Sequence, residues 1–193
     1  MSLTPAASRR SLLAAGLGLA VAPSAVAASA GKEAPRAPGA ADFDFLLGAW
    51  TVRHRRLKHR LAGRTDWVEF PGTLDVRGIL AGQGDVDQNV LDDPAGRYLA
   101  TSLRIFNAAA GAWSIYWIDA RAPGLDPPVV GRFEGRLGRF YNDDTLAGRP
   151  IRVRFTYEDL GPGRAQWTQA FSPDKGASWE TNWTMDFTRA APV

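Results

Sequence analysis

Apolar and polar positions alternate along most of the chain beyond residue 50. Near the C-terminus, Trp179, Thr181, Trp183, Met185 and Phe187 share one parity, and Glu180, Asn182, Thr184 and Asp186 share the other. Successive side chains of a strand leave the backbone on opposite sides, so this period of two predicts a strand with one buried face. Ile151, Val153, Phe155 and Tyr157 alternate in the same way with Arg152, Arg154, Thr156 and Glu158. Leu99, Thr101, Leu103 and Ile105 make a third inward row. Trp113, Ile115, Trp117 and Asp119 make a fourth, blurred by Tyr116 and Ile118. With the turn residues added, strands are predicted over 51–61, 67–70, 74–80, 84–91, 98–106, 113–119, 129–134, 138–141, 151–158, 165–171 and 178–188. Pro71-Gly72 is read as a break between two of them. A single helical turn precedes the first strand, with Asp42 or Asp44 to cap it and Gly48 to end it. Roughly ten short strands with turn chemistry between nearly every pair predict an all-β domain. Closing such a meander into one antiparallel barrel removes its exposed edges.

The first residues follow a different pattern. Arg9 and Arg10 precede a mildly apolar run, and Ala25-Val26-Ala27 offers an A-x-A cleavage site, so 1–27 reads as an export signal. The run is too short and too weakly apolar for a stable membrane span. Ser8-Arg9-Arg10-Ser11-Leu12-Leu13 resembles the twin-arginine motif, although Ala14 stands where that motif usually has lysine. An ordinary secretory signal and an uncleaved anchor remain alternatives. The expected partner is the twin-arginine export machinery, and the expected location is periplasmic or secreted. Small residues and prolines in 28–41 predict a disordered tether, leaving 42–190 as the folded domain.

Export changes the charge. The full chain has 23 basic and 20 acidic residues, a formal +3; without Arg9 and Arg10 the balance is 21 minus 20, or +1. That small charge gives no footprint for nucleic acid. Cysteine is absent, which excludes disulfides, thiolate metal sites and thiol catalysis. Stability must come from a core, and roughly 160 residues bury about 70% of their unfolded surface.

The stretch DFLLGAWTV, 44–52, leads a helical turn through Gly48 and Trp50 into the first strand. It resembles the opening of calycin barrels: lipocalins, fatty-acid-binding proteins and nitrobindin-like domains. In lipocalins that tryptophan plugs the barrel base under a basic residue, so the resemblance implies Arg189 packed across Trp50. The mature chain from Phe43 to Arg189 is similar to a bacterial group of calycin-like domains. These share an F-D-F-x-L-G-x-W start and an S-x-D-x-G-x-S-W-E-x-N-W ending, and the group brings no activity with it. Nitrobindin-like barrels hold haem through a histidine towards the C-terminal end. Nothing after His59 supplies an imidazole here, so no cofactor is expected.

The segment SPDKGASW, 172–179, matches the Asp-box hairpin of sialidases and other sugar-active propellers. Pro173 sets φ, Asp174 accepts turn amides, Gly176 takes positive φ and Trp179 packs beneath. A tight hairpin accounts for every feature, and the motif occurs once rather than once per blade. The run Asp85-Val86-Asp87-Gln88-Asn89 mimics the start of a calcium loop. Val90 stands where glycine is required and Gly96 where glutamate is, so the run reads as a polar strand edge. With only His54 and His59, no multi-histidine zinc site can be built without several carboxylates, and no catalytic or metal set is assigned.

If Trp50 points inward, Val52, His54 and Arg56 do too. His54 and Arg56 would fix the polar end of a ligand, or serve only as structural groups at the rim. The candidate ligand-binding set is His54, Arg56, Thr101, Trp117, Tyr157, Gln169 and Trp183; the structural set is Trp50, Asp174, Gly176, Trp179 and Arg189. Burial against aromatics supplies affinity, and a few placed polar groups supply orientation. The leading expectation is an exported binding protein for a small hydrophobic or amphipathic molecule. One alternative is a cofactor-independent hydrolase or isomerase with His54 as general base, oriented by Asp119. Another is a filled, non-binding envelope protein, which predicts no pocket above roughly 300 Å³.

Overall fold

The computed structural model describes residues 35–122 and 124–191. The expected leader, 1–27, lies outside the described residues, as does 28–34. Ten antiparallel strands follow one another: β1 (Gly48–Leu57), β2 (Trp67–Ile79), β3 (Gly84–Leu91), β4 (Tyr98–Asn107), β5 (Ala112–Asp119), β6 (Val129–Glu134), β7 (Leu137–Leu146), β8 (Arg149–Gly161), β9 (Arg164–Ser172) and β10 (Glu180–Arg189). Each pairs with the next, and β1 pairs with β10 from Trp50↔Arg189 to Arg56↔Trp183, which closes the barrel. The fold is all-β, consistent with a calycin-like barrel. Among the described residues no helix is long and apolar enough to cross a membrane.

Alternation sends five connections to one end, the mouth: 58–66, 92–97, 120–128, 147–148 and 173–179. The opposite end is plugged by the 3-10 turn Asp44–Leu46 and the chain before it. Residues 35–41 of the expected tether pack there rather than standing free. Ala40 is buried, and Trp113 Nε1 donates to Gly39 O at 3.0 Å. Phe43 is the centre of the plug, edge-on to Trp113 (4.9 Å), Phe133 (4.9 Å) and Tyr157 (5.0 Å). Trp50 Nε1 donates to Leu46 O at 2.7 Å, and the Arg189 guanidinium lies 3.7 Å from the Trp50 ring centroid. Arg189 also donates to the carbonyls of Phe45 and Leu47, so one side chain ties the end of the barrel to the plug. Gly48 is required beside it: φ is +102°, and a Cβ there would sit 2.8 Å from Arg189 Nη1.

Three strand predictions need correction. Pro71-Gly72 does not break the sheet; β2 runs through it, paired along its length with β1. Asp92 N donates to Pro71 O at 3.1 Å, just past the Gly72↔Leu91 pair that ends the β2–β3 ladder. N–H and C=O of one residue point the same way in an antiparallel ladder. The donor that Pro71 lacks therefore faces the place where pairing has already stopped. Gly72 is needed for space, since a Cβ would lie 2.4 Å from Val90 O and 2.7 Å from His54 Nε2.

On β4 the inward row is Tyr98, Ala100, Ser102, Arg104 and Phe106, all buried, rather than Leu99, Thr101, Leu103 and Ile105. The apolar row lies on the outer face, where Leu99 pairs with Val90 and Leu103 with both Val86 and Tyr116. Its place inside is taken by a buried ionic network. Arg104 Nε donates to Asp85 Oδ1 at 2.5 Å, and Arg104 Nη2 lies 2.8 Å from Asp87 Oδ2. Asp87 Oδ1 accepts Asn89 Nδ2 (2.6 Å) and Ser102 N (2.8 Å). Burial opposes the charge on Arg104, but Asp85 and Asp87 outweigh it and hold the guanidinium protonated above its ordinary range. The run 85–89 is thus an interior face of β3, not a polar edge.

On β10 a bulge between Thr181 and Trp183 breaks the alternation. Asn182 and Trp183 are both buried, while Thr181 is exposed. The inward row is therefore Trp183, Met185 and Phe187 only. Trp179 sits outside the barrel, under the Arg154 guanidinium at 4.3 Å and beside Tyr141.

Candidate ligand site at the barrel mouth

Inward rows from β5, β8, β9 and β10 leave a hollow of about 250 Å³ beneath the mouth. Its walls are Ile115 and Trp117, Val153 and Phe155, Trp167, Gln169 and Phe171, and Trp183. Trp183 meets Trp117 and Trp167 edge-on at 6.2 and 5.5 Å, so three indoles form a corner. Below this layer the barrel is filled. A void of about 20 Å³ lies there beside Asp87, Arg104 and Tyr157, room for about one water. Above it a solvent-open groove of about 1470 Å³ runs over the rim between 57–63, 93–95, 146–151, Pro173 and Glu180. Arg56 and Arg60 line both hollows.

Charged groups ring the opening. Arg56 pairs with Asp93 and donates to Tyr98 Oη at 3.2 Å. Arg121 grips Asp119 with both edges of its fork, Nε to Oδ1 at 3.0 Å and Nη2 to Oδ2 at 2.6 Å, while lying 3.4 Å over the Tyr98 ring. Burial works against the charge on Asp119, but the Arg121 bonds prevail and hold its carboxyl below the usual range. Arg60, from the β1–β2 connection, lies 5.5 Å from the Phe171 ring and has no carboxylate within ion-pair distance among the described residues. Burial, reinforced by the nearby Arg56, lowers its pKa. Asp126 and Asp144 also face the hollow but are exposed at the rim. Burial, with Asp144 and Asp119 nearby, nudges Asp126 upward.

Three buried polar atoms on lining residues have no hydrogen-bond partner: Trp167 Nε1, Trp183 Nε1 and Asn142 Oδ1. The contrast with the structural tryptophans is sharp. Trp50, Trp113 and Trp179 each donate to a backbone carbonyl. A buried indole N–H ordinarily finds an acceptor, and leaving one bare costs about 1–3 kcal/mol.

Of the seven residues expected at a ligand site, Arg56, Trp117, Gln169 and Trp183 line this hollow. Gln169 is oriented by its amide, which donates to Asn182 Oδ1 at 2.7 Å. Thr101 faces outward on β4 and takes no part. Tyr157 lies deeper, beside the small void, where Arg104 Nη1 approaches its hydroxyl at 3.4 Å; burial pushes its pKa up to about 12. His54 is 0% exposed and sits below the cavity, stacked on Phe70 at 4.7 Å and 11°. Burial, helped by the Arg56 charge, lowers its pKa to about 4. Neither ring nitrogen has a hydrogen-bond partner, and Asp119 is held by Arg121, so His54 and Asp119 are not a bonded pair.

Arg60, Arg121, Asp126, Asn142 and Asp144 went unread in the sequence. Most lie on connections or strand ends, where no periodicity signals direction. Trp167 and Phe171 share the parity of Gln169, so that row was available. Among the described residues no group of three or more His, Asp or Glu side chains is placed to hold a metal ion. The Asp-box lies at the mouth as a self-contained turn. Asp174 accepts Ser178 Oγ (2.5 Å), Ser178 N (2.8 Å) and Ser172 Oγ (2.7 Å), and these bonds lower its pKa to about 2.

No protein-family model matches the chain, and no curated protein matches it.

Proposed function

We propose that this chain is an exported carrier-type protein that binds a small hydrophobic or amphipathic molecule in the mouth cavity. The observation that carries this reading is the pair of buried, unpartnered indole donors, Trp167 and Trp183, on the wall of an aromatic hollow. Unpartnered buried nitrogens also occur on His54 below the cavity. Trp167 and Trp183, however, carry theirs on residues that line the hollow, and the reading rests on that position. The cavity, about 250 Å³, falls just below the roughly 300 Å³ at which ordinary ligand pockets begin. Size alone therefore also meets the expectation for a filled barrel, and it is the chemistry of the wall that carries the reading. It suits a small molecule, or one end of a longer molecule whose remainder lies in the rim groove. Twin-arginine-type features of 8–13 and the A-x-A site at 25–27 support a periplasmic or secreted location.

The test is a titration with the neutral fluorophore N-phenyl-1-naphthylamine, on the wild type and on Val153→Phe. Val153 is a buried cavity wall, and the larger ring fills the space without removing a polar partner. Wild type is expected to enhance the fluorescence saturably, and Val153→Phe to lose that response while its circular dichroism is unchanged. Equal binding by both would remove the cavity as the site.

A further inference from the structure

We propose that the ligand of the mouth cavity is a small organic anion, a flat apolar body carrying a carboxylate or phosphate that Arg60 holds at the rim. This rests on the mouth cavity being the binding site. The charges at the opening are unequally satisfied. Arg56 is paired with Asp93 and Arg121 with Asp119, so neither is free to take a second carboxylate without releasing its own. Arg60 is half-buried, lies over Phe171, and has no ion-pair partner among the described residues. Glu180 of the rim groove favours the Arg60 charge from beyond ion-pair distance, and spends Oε1 on the Leu61 amide at 2.6 Å.

A guanidinium drawn out of water without an anion is costly, and an incoming carboxylate or phosphate would match its planar fork. Asp126 and Asp144 carry the opposite sign into the same hollow, but both lie exposed at the rim. Exposed carboxylates impose a weaker demand for a counter-charge than the half-buried Arg60 guanidinium does. The bare Nε1 donors of Trp167 and Trp183 add to the same bias, since each calls for an acceptor. Among the buried side-chain atoms of the lining, these two unpartnered donors stand against one unpartnered acceptor, Asn142 Oδ1. The aromatic corner of Trp117, Trp167 and Trp183 supplies faces and edges for a flat ring.

Isothermal titration with four isosteres reads the charge preference directly: 2-naphthoate, 2-naphthyl phosphate, 2-naphthamide and 2-naphthylmethylamine. The two anions are expected to bind about tenfold or more tighter than the amide, as a charge-assisted bond to Arg60 requires. Arg60→Gln should erase that preference and leave the amide's affinity in place, and Arg60→Lys should restore part of it. Anion and amide bound equally by the wild type would overturn the anion assignment while leaving the cavity standing. Tightest binding of the amine would overturn it in favour of Asp126 and Asp144. Loss of anion and amide alike in Arg60→Gln would make Arg60 a wall rather than a charge reader. Binding of none of the four would remove both the cavity reading and this inference.

Discussion

His54 is neutral at physiological pH because the barrel takes its imidazole out of water, and Arg56 beside it adds a like charge. Its pKa in the folded chain is about 4, against about 6.5 when unfolded. Between these values the unfolded chain binds a proton that the folded chain refuses, so acidification favours unfolding. The contribution of His54 is therefore full above about pH 6.5 and lost as pH falls through about 4, amounting to about 3 kcal/mol. Urea unfolding at pH 7, 5.5 and 4.5 should show the wild type weakening more steeply than His54→Asn. Parallel profiles would mean that the ring titrates normally. That His54 points inward was legible from the parity of β1. Its depth below the cavity was not, because depth depends on Gly72 of the neighbouring strand, where the missing side chain admits the imidazole.

Strands were legible wherever one face is apolar and the other is not, as on β8, where Ile151, Val153 and Tyr157 are buried. They misled where the barrel buries charge. The row Asp85, Asp87 and Asn89 on β3 faces Ser102 and Arg104 on β4, and the outer face of both strands carries valines and leucines. Hydrophobicity alone assigns such a pair inside out. A single bulge at Asn182 likewise shifted the parity of β10, which no side-chain pattern marks in advance. The buried network makes its own prediction. Arg104→Met leaves Asp85 and Asp87 interior and unpaired, and should cost about 3–5 kcal/mol of stability by denaturant unfolding. Adding Asp85→Asn and Asp87→Asn should recover part of that loss, since the stranded charges are then gone. A single variant as stable as the wild type would show that water reaches the carboxylates.

At the scale of the molecule, the closed barrel has one end sealed by Phe43, Trp50 and Arg189 and the other left hollow behind three indoles. Barrel and plug were both readable from the chain. The mouth was readable only in part, because its charged residues come from separate connections that meet only after closure. The binding claim rests on which indoles lack partners, and the tryptophans themselves can report it. In a proton–nitrogen correlation spectrum of the folded chain, each indole N–H gives its own signal. Trp50, Trp113 and Trp179 donate to backbone carbonyls away from the cavity, and so act as internal controls. The measurement is a titration of that spectrum with 2-naphthoate and 2-naphthamide. Saturable shifts of the Trp167 and Trp183 indole signals, with the three controls unmoved, are the predicted result. Silence of Trp167 and Trp183 at saturating concentrations of both compounds, or shifts confined to the controls, would contradict a binding site at the mouth.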